Sequence, residues 1–155
     1  MQRKCALLFM LACSLLFSQF VLAEGYRIDV GDDGVALKGH DPVAYFVQGE
    51  TTPGSADYTA SHAGATYQFA SAENRDLFIS DPGKYAPAYG GYCAFGTTMK
   101  MKIPGDPEAW KIVDGQLYIN SSPEILTRWS GDIPGNIEKA NTIWPQIEDA
   151  NPADL

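Results

Sequence analysis

The sequence predicts a small α+β domain made of β-hairpins, a strand–helix unit and C-terminal helices. Three observations carry that expectation. Asp114-Gly115 separates two β-rich runs, residues 110–113 and 116–120. A type I′ hairpin turn needs positive φ at both central positions, and this dipeptide supplies it. Ser71 follows a short strand-like run, where its hydroxyl can accept from the free amides of a first helical turn. Near the end, Ile137, Ala140, Ile143 and Trp144 recur at helical spacing and make one apolar face.

The chain has 155 residues and a net charge of −8. Arg3 and Lys4 precede an apolar run from residue 5 to residue 17, and Val21-Leu22-Ala23 places small residues where a signal peptidase reads. This pattern predicts a secretory signal peptide, residues 1–23, and export to the periplasm or outside the cell. The run is broken by Ser18 and Gln19 and is short for a spanning helix, so no stable membrane span is expected after cleavage. Lipoprotein processing at Cys13 is a second reading, but it leaves apolar residues 15–17 and 20–22 on the mature chain. Cleavage after Ala23 leaves nine basic and 19 acidic residues, a net charge near −10. Such a surface repels nucleic acid and anionic membrane. The 132 remaining residues suffice for one core. Cys5 and Cys13 leave with the signal, so Cys93 has no internal disulfide partner.

In chain order, residues 24–38 read as a lead-in with a short strand at residues 26–30. Asp32-Asp33-Gly34 reads as a solvated turn, because no further calcium ligands follow it. The main domain is expected over residues 39–150. Asp41-Pro42 is a helix start, carboxylate cap followed by proline at the first position. Residues 58–62 and 65–69 pair around Ala63-Gly64. Tyr67 and Phe69 share one face of that strand. The helix after Ser71 runs to about Ile79, with Leu77 and Phe78 toward the core. Asp81-Pro82-Gly83 ends it. Residues 97–103 alternate roughly and read as a strand. Ser122-Pro123 opens a helix that Gly131 closes, and a last helix spans about 134–144, ended or kinked by Pro145. Residues 151–155 are a tail.

Several segments together resemble the YHS domain, of the wider TRASH-type group of small metal-site modules. They are Asp41-Pro42-Val43-Ala44, the run from Gly64 through Tyr67, Phe69 and Ala70 to Asn74, then Phe78, and Asp81-Pro82-Gly83-Lys84-Tyr85. The resemblance implies that Ala44, Ala70 and Asn74 stand where metal-binding members carry cysteines. Alanine cannot ligate, and an Asn amide is a poor ligand for soft metals. Gly90-Gly91-Tyr92-Cys93-Ala94 and the run from Trp110 to Asn120 are similar to an exported, single-cysteine branch of that family. The resemblance brings no catalytic residue with it.

Candidate chemistry centres on Cys93, His40 and His62. One reading is a ligand set for copper or another soft metal, with Met99 and Met101 adding thioethers. Another is a thiol nucleophile with His40 or His62 as base. Against these stand a buried structural thiol and ordinary hydrogen-bonding histidines. Tyr45, Tyr67, Tyr85, Tyr89, Tyr92 and Tyr118 line either a ligand pocket or a core filled by large side chains. On the first alternative Tyr45 and Tyr92 join Cys93 and His40 in binding a ligand. Two function classes follow: a non-enzymatic module for a small ligand, a protein partner or a soft metal, and a thiol-dependent enzyme or redox protein.

Overall fold

Two antiparallel hairpins form where their turn dipeptides demand them. A computed structural model describes residues 25–155. The signal-peptide and lipoprotein readings fall on residues outside that range. β1 (Ser55–His62) pairs with β2 (Ala65–Phe69), with Ala60 opposite Tyr67 and His62 opposite Ala65. β3 (Asp106–Val113) pairs with β4 (Gln116–Asn120), with Trp110 opposite Ile119. Ala63 and Gly64 turn the first hairpin at φ 51° and 83°, Asp114 and Gly115 the second at 51° and 77°. Each hairpin carries a register shift near the start of its first strand.

Short helices join the hairpins. α1 (Ala44–Val47) follows Asp41-Pro42, and α2 (Ala72–Ser80) begins where the Ser71 hydroxyl accepts from the Asn74 amide. Asp81 ends α2 and caps α3 (Pro82–Tyr85) through its carboxylate. α4 (Ala94–Thr97) is capped by Cys93, and α5 (Pro123–Trp129) by Ser122. α6 (Ile133–Ile147) closes the fold.

β4 is the wall between two cores. Its side chains alternate, as strand geometry requires. Leu117 and Ile119 enter the first core, with Val43, Tyr45, Tyr67, Phe69, Phe78 and Tyr85. Tyr118 enters the second, with Tyr89, Ala94, Trp129 and Ala140, covered by Ile137 and Trp144 of α6. Both faces of β4 are buried although it belongs to a two-stranded sheet, because helices rather than strands cover it. All six of the singled-out tyrosines are buried. They are core residues rather than the lining of a cleft.

Four expectations need correction. Residues 97–103 are not a strand. The Met99 and Met101 amides both donate to the Gly96 carbonyl, and Lys100 adopts φ 60° between them, so the segment is the turn that terminates α4. Leu77 is 40% exposed, and Phe78 alone of that pair enters the core. Residues 26–30 form no strand beyond one isolated bridge between Val30 and Ala36. The last helix runs to Ile147 with Pro145 inside it, because proline removes a single ladder bond and the Glu148 amide resumes the pattern by donating to Trp144. The lead-in also joins the first core through Ala36 and Leu37, and the Ala36 amide donates to Thr66 in β2.

Candidate functional site

The most concentrated polar cluster surrounds Asp41, which is fully buried at 0% exposure. Its Oδ1 accepts from the backbone amides of Val43 at 2.8 Å and Ala44 at 3.2 Å. Its Oδ2 accepts from the Ala70 amide at 2.9 Å and from the Asn74 side-chain Nδ2 at 2.7 Å. Four donors therefore meet two oxygens, and no cation is needed to hold the carboxylate in place. The first pair is the cap expected of Asp41-Pro42. The second pair comes from the β2–α2 junction, 29 and 33 residues further along. Ala44 thus meets Ala70 and Asn74, 26 and 30 residues further along, around one carboxylate.

Cys93 lies on the other side of the molecule's central wall and is 1% exposed. Its Sγ accepts from the Gly96 amide at 3.3 Å, and its thiol donates toward Asn120 Oδ1 at 3.7 Å. The same Asn120 oxygen accepts from the Phe95 amide at 3.1 Å, which fixes the orientation of the amide group. Asn120 Nδ2 has no hydrogen-bond partner among the described residues. The Cys93 backbone is also engaged: its amide donates to Ile103, and its carbonyl accepts from the Thr97 amide and hydroxyl. The thiol is a helix cap inside the fold.

The two histidines sit elsewhere. His40 Nδ1 lies 3.1 Å from the Leu37 carbonyl, and its backbone bridges to Pro53. His62, at the end of β1, packs edge-on against Phe78 at 5.8 Å and beside Tyr67 at 6.4 Å. Cys93, His40 and His62 are not brought together, and neither histidine is a hydrogen-bond partner of the thiol. Among the described residues, no group of three His, Cys, Asp or Glu side chains forms a metal-ligand set. Met99 and Met101 are exposed on the α4 turn rather than packed on a strand.

Tyr45 lies in the first core, whereas Tyr92 is buried beside Trp144 of α6, with ring centroids 6.3 Å apart. The Tyr45 hydroxyl donates to the Pro107 carbonyl at 3.0 Å and its ring meets Trp110 edge-on. Burial pushes the Tyr45 phenol well above the ordinary tyrosine range, reinforced by Glu108 and Asp106. Tyr92 is pushed up to about 12, by burial first and then by Asp29 and Tyr26. Tyr67 is raised by burial alone, and its hydroxyl has no partner among the described residues.

Lys102 is a residue that sequence reasoning did not single out. It is 5% exposed, and its ammonium donates to three backbone carbonyls: Tyr26 at 2.8 Å, Glu148 at 2.6 Å and Ala150 at 2.8 Å. The rings of Tyr92 and Trp144 stand 5.2 and 5.4 Å from it. Burial pushes the ammonium down from the ordinary lysine range, while Asp149 and Glu148 pull the other way. Three carbonyl acceptors favour its charged form, and a cation suits the carbonyl end of α6. The sequence signal was weak: a lysine inside a run read as an amphipathic strand.

A surface groove of about 460 Å³ runs beside the turn at residues 31–39, where Asp32, Asp33, Lys38 and Gln68 face it. None of Cys93, His40, Tyr45 or Tyr92 lines it. No family model, curated protein or solved structure matches this chain.

Proposed function

We propose that this chain is an exported, non-enzymatic binding or accessory module of YHS type, in which a hydrogen-bond knot stands where metal-binding members hold their ion. The observation that carries this reading is the meeting of Ala44, Ala70 and Asn74. The resemblance equates these three positions with ligating cysteines, and all three contribute a donor to the Asp41 carboxylate, at 3.2, 2.9 and 2.7 Å. Ala44 lies 26 and 30 residues before Ala70 and Asn74, and their convergence on one carboxylate is the arrangement expected if the frame that gathers metal ligands is retained. With the thiolates replaced, a carboxylate satisfied by amides holds the same chain segments together.

Thiol chemistry at Cys93 is the weaker reading. A nucleophile needs access and a base within hydrogen-bond reach. Cys93 is buried and spends its sulfur on the Gly96 amide and the Asn120 oxygen. A soft-metal site using Cys93 and a histidine meets the same objection. What remains is a small ligand or a protein partner bound at the surface.

The test compares metal content of the native chain with that of a variant carrying Ala44→Cys, Ala70→Cys and Asn74→Cys together. Native mass spectrometry of protein from an exporting host is read against the denatured mass. The variant is expected to gain one soft metal ion that the parent does not carry at those positions. A folded variant that takes up no more metal than the parent sinks the YHS assignment. A non-covalent mass excess on the parent identifies the ligand, whereas a covalent adduct on Cys93 favours thiol chemistry.

A further inference from the structure

The segment over residues 26–29 is attached to the domain in an unusual way. Ile28 alone packs partly against the first core; Tyr26 and Val30 are exposed. Its other attachments are polar. Arg27 pairs with Asp149 at 2.6 Å and Glu148 at 3.1 Å, at the end of α6. The Asp29 amide donates to the Gly90 carbonyl, and Asp29 Oδ2 accepts from the Gly105 amide, both at 2.8 Å. The Tyr26 carbonyl receives the Lys102 ammonium, and the Ile28 carbonyl receives the Tyr92 hydroxyl over a longer 3.4 Å. Gly90 is required beneath it, since a Cβ there would overlap the Arg27 carbonyl oxygen.

Among the described residues, Lys102 joins this segment, the end of α6 and the Tyr92–Trp144 ring pair at a single point. It holds one carbonyl of the segment and two carbonyls past the end of α6, with both rings beside it. We propose that residues 26–29 form a releasable strap over Gly90, Gly91 and Tyr92, and that the Lys102 ammonium is its latch. A segment held by hydrogen bonds and exposed ion pairs opens locally at lower cost than one held by apolar burial. The Arg27 pairs are half in solvent and weaken with salt, whereas the caged ammonium is screened far less. The strap therefore loosens with ionic strength or with loss of the latch, while both cores stay packed. Release frees the Tyr92 hydroxyl from the Ile28 carbonyl and the Gly90 carbonyl from the Asp29 amide.

Site-resolved hydrogen exchange on the full mature chain tests this. In Lys102→Met, exchange at the Asp29 and Gly105 amides is expected to rise by ~10-fold or more, with the Tyr118 amide in β4, which faces Lys111 across the hairpin, unchanged, as sub-global opening predicts. Two results overturn the proposal: unchanged protection at Asp29 and Gly105, or an equal rise at Tyr118, which makes Lys102 a support of the whole domain. The unmutated chain gives a second reading that does not depend on the variant folding. Raising sodium chloride from roughly 20 mM to 1 M shortens the screening length to ~3 Å and is expected to speed exchange at Asp29 but not at Tyr118. A strap whose protection ignores salt is not held as described.

Discussion

Asp41→Asn is expected to destabilise the domain by about 2–4 kcal/mol without changing the fold, and the figure follows from the four donors around the carboxylate. In the native chain Oδ1 serves Val43 and Ala44, and Oδ2 serves Ala70 and Asn74. An asparagine keeps one oxygen, which is best used on the α1 amides. Its NH₂ then faces the Ala70 amide and the Asn74 side chain. Asn74 can rotate its amide to offer an oxygen, but the Ala70 amide cannot, and a buried unsatisfied donor costs about 1–3 kcal/mol. Three surviving bonds also change from charge-assisted to neutral, at roughly half the strength. The lower cost of burying an amide than a carboxylate offsets part of this. Asp41→Ala leaves all four donors unpaired and is expected to approach the whole stability of a domain this size, roughly 5–15 kcal/mol. Urea denaturation at pH 7, followed by circular dichroism, reads the loss as a lower midpoint at constant m. The double variant Asp41→Asn, Asn74→Asp makes the pair between positions 41 and 74 charge-assisted again and is expected to recover part of the loss, a coupling visible in a double-mutant cycle. A loss under about 1 kcal/mol for Asp41→Asn at unchanged m refutes the reasoning, because the knot would then be incidental to the fold.

The remaining expectations concern the thiol and the phenols. Cys93 should react with a disulfide reagent at less than ~1% of the rate of a free thiol until denaturant is added, since access limits the reaction; fast native labelling revives the thiol-enzyme reading. Cys93→Ala should cost about 1 kcal/mol through loss of the α4 cap, and Cys93→Ser less, because its hydroxyl can accept from Gly96; equal losses in the two variants contradict the capping role. At high pH the tyrosines oppose folding. Tyr92 is held near about 12, and Tyr45, Tyr67 and Tyr89 are raised by burial, against roughly 10 in an unfolded chain. The unfolded state therefore releases protons first, and stability falls from about pH 10 toward pH 12. Tyrosinate absorbance should rise together with loss of circular dichroism; independent ionisation near pH 10 with the fold intact would contradict their burial.

The parts of the fold that were legible in the sequence are those fixed by local backbone chemistry. Asp114-Gly115 and Ala63-Gly64 turn where positive φ is required, and Ser71 and Ser122 cap the helices that follow them. Asp41 was legible as a helix cap, but only half of its role was local. Its second oxygen serves residues about thirty positions away, and no spacing rule announces such a contact. The segment after Cys93 misled because Met99, Met101 and Ile103 alternate like a strand, while two amides closing on the Gly96 carbonyl make a turn. Lys102 was illegible for a related reason. A lysine is ordinarily a surface residue, and its three carbonyl partners come from both ends of the described chain.

Asp41, Cys93, Asn120 and Lys102 share a property that bears on function. Each is a buried polar side chain aimed chiefly at backbone groups, and each ties together elements separated in sequence. Asp41 joins α1 to the β2–α2 junction, and Asn120 joins β4 to the start of α4. Lys102 joins the strap to the end of α6. A catalytic group has to keep an orbital or a proton free for substrate, at the end of an accessible cleft. These groups have committed their hydrogen-bonding capacity to the chain itself, apart from the Asn120 Nδ2. Two cores divided by one strand and assembled from short elements gain specificity from such ties. On the proposed reading, the surface, including the groove beside Lys38, is where the module would meet its ligand or partner.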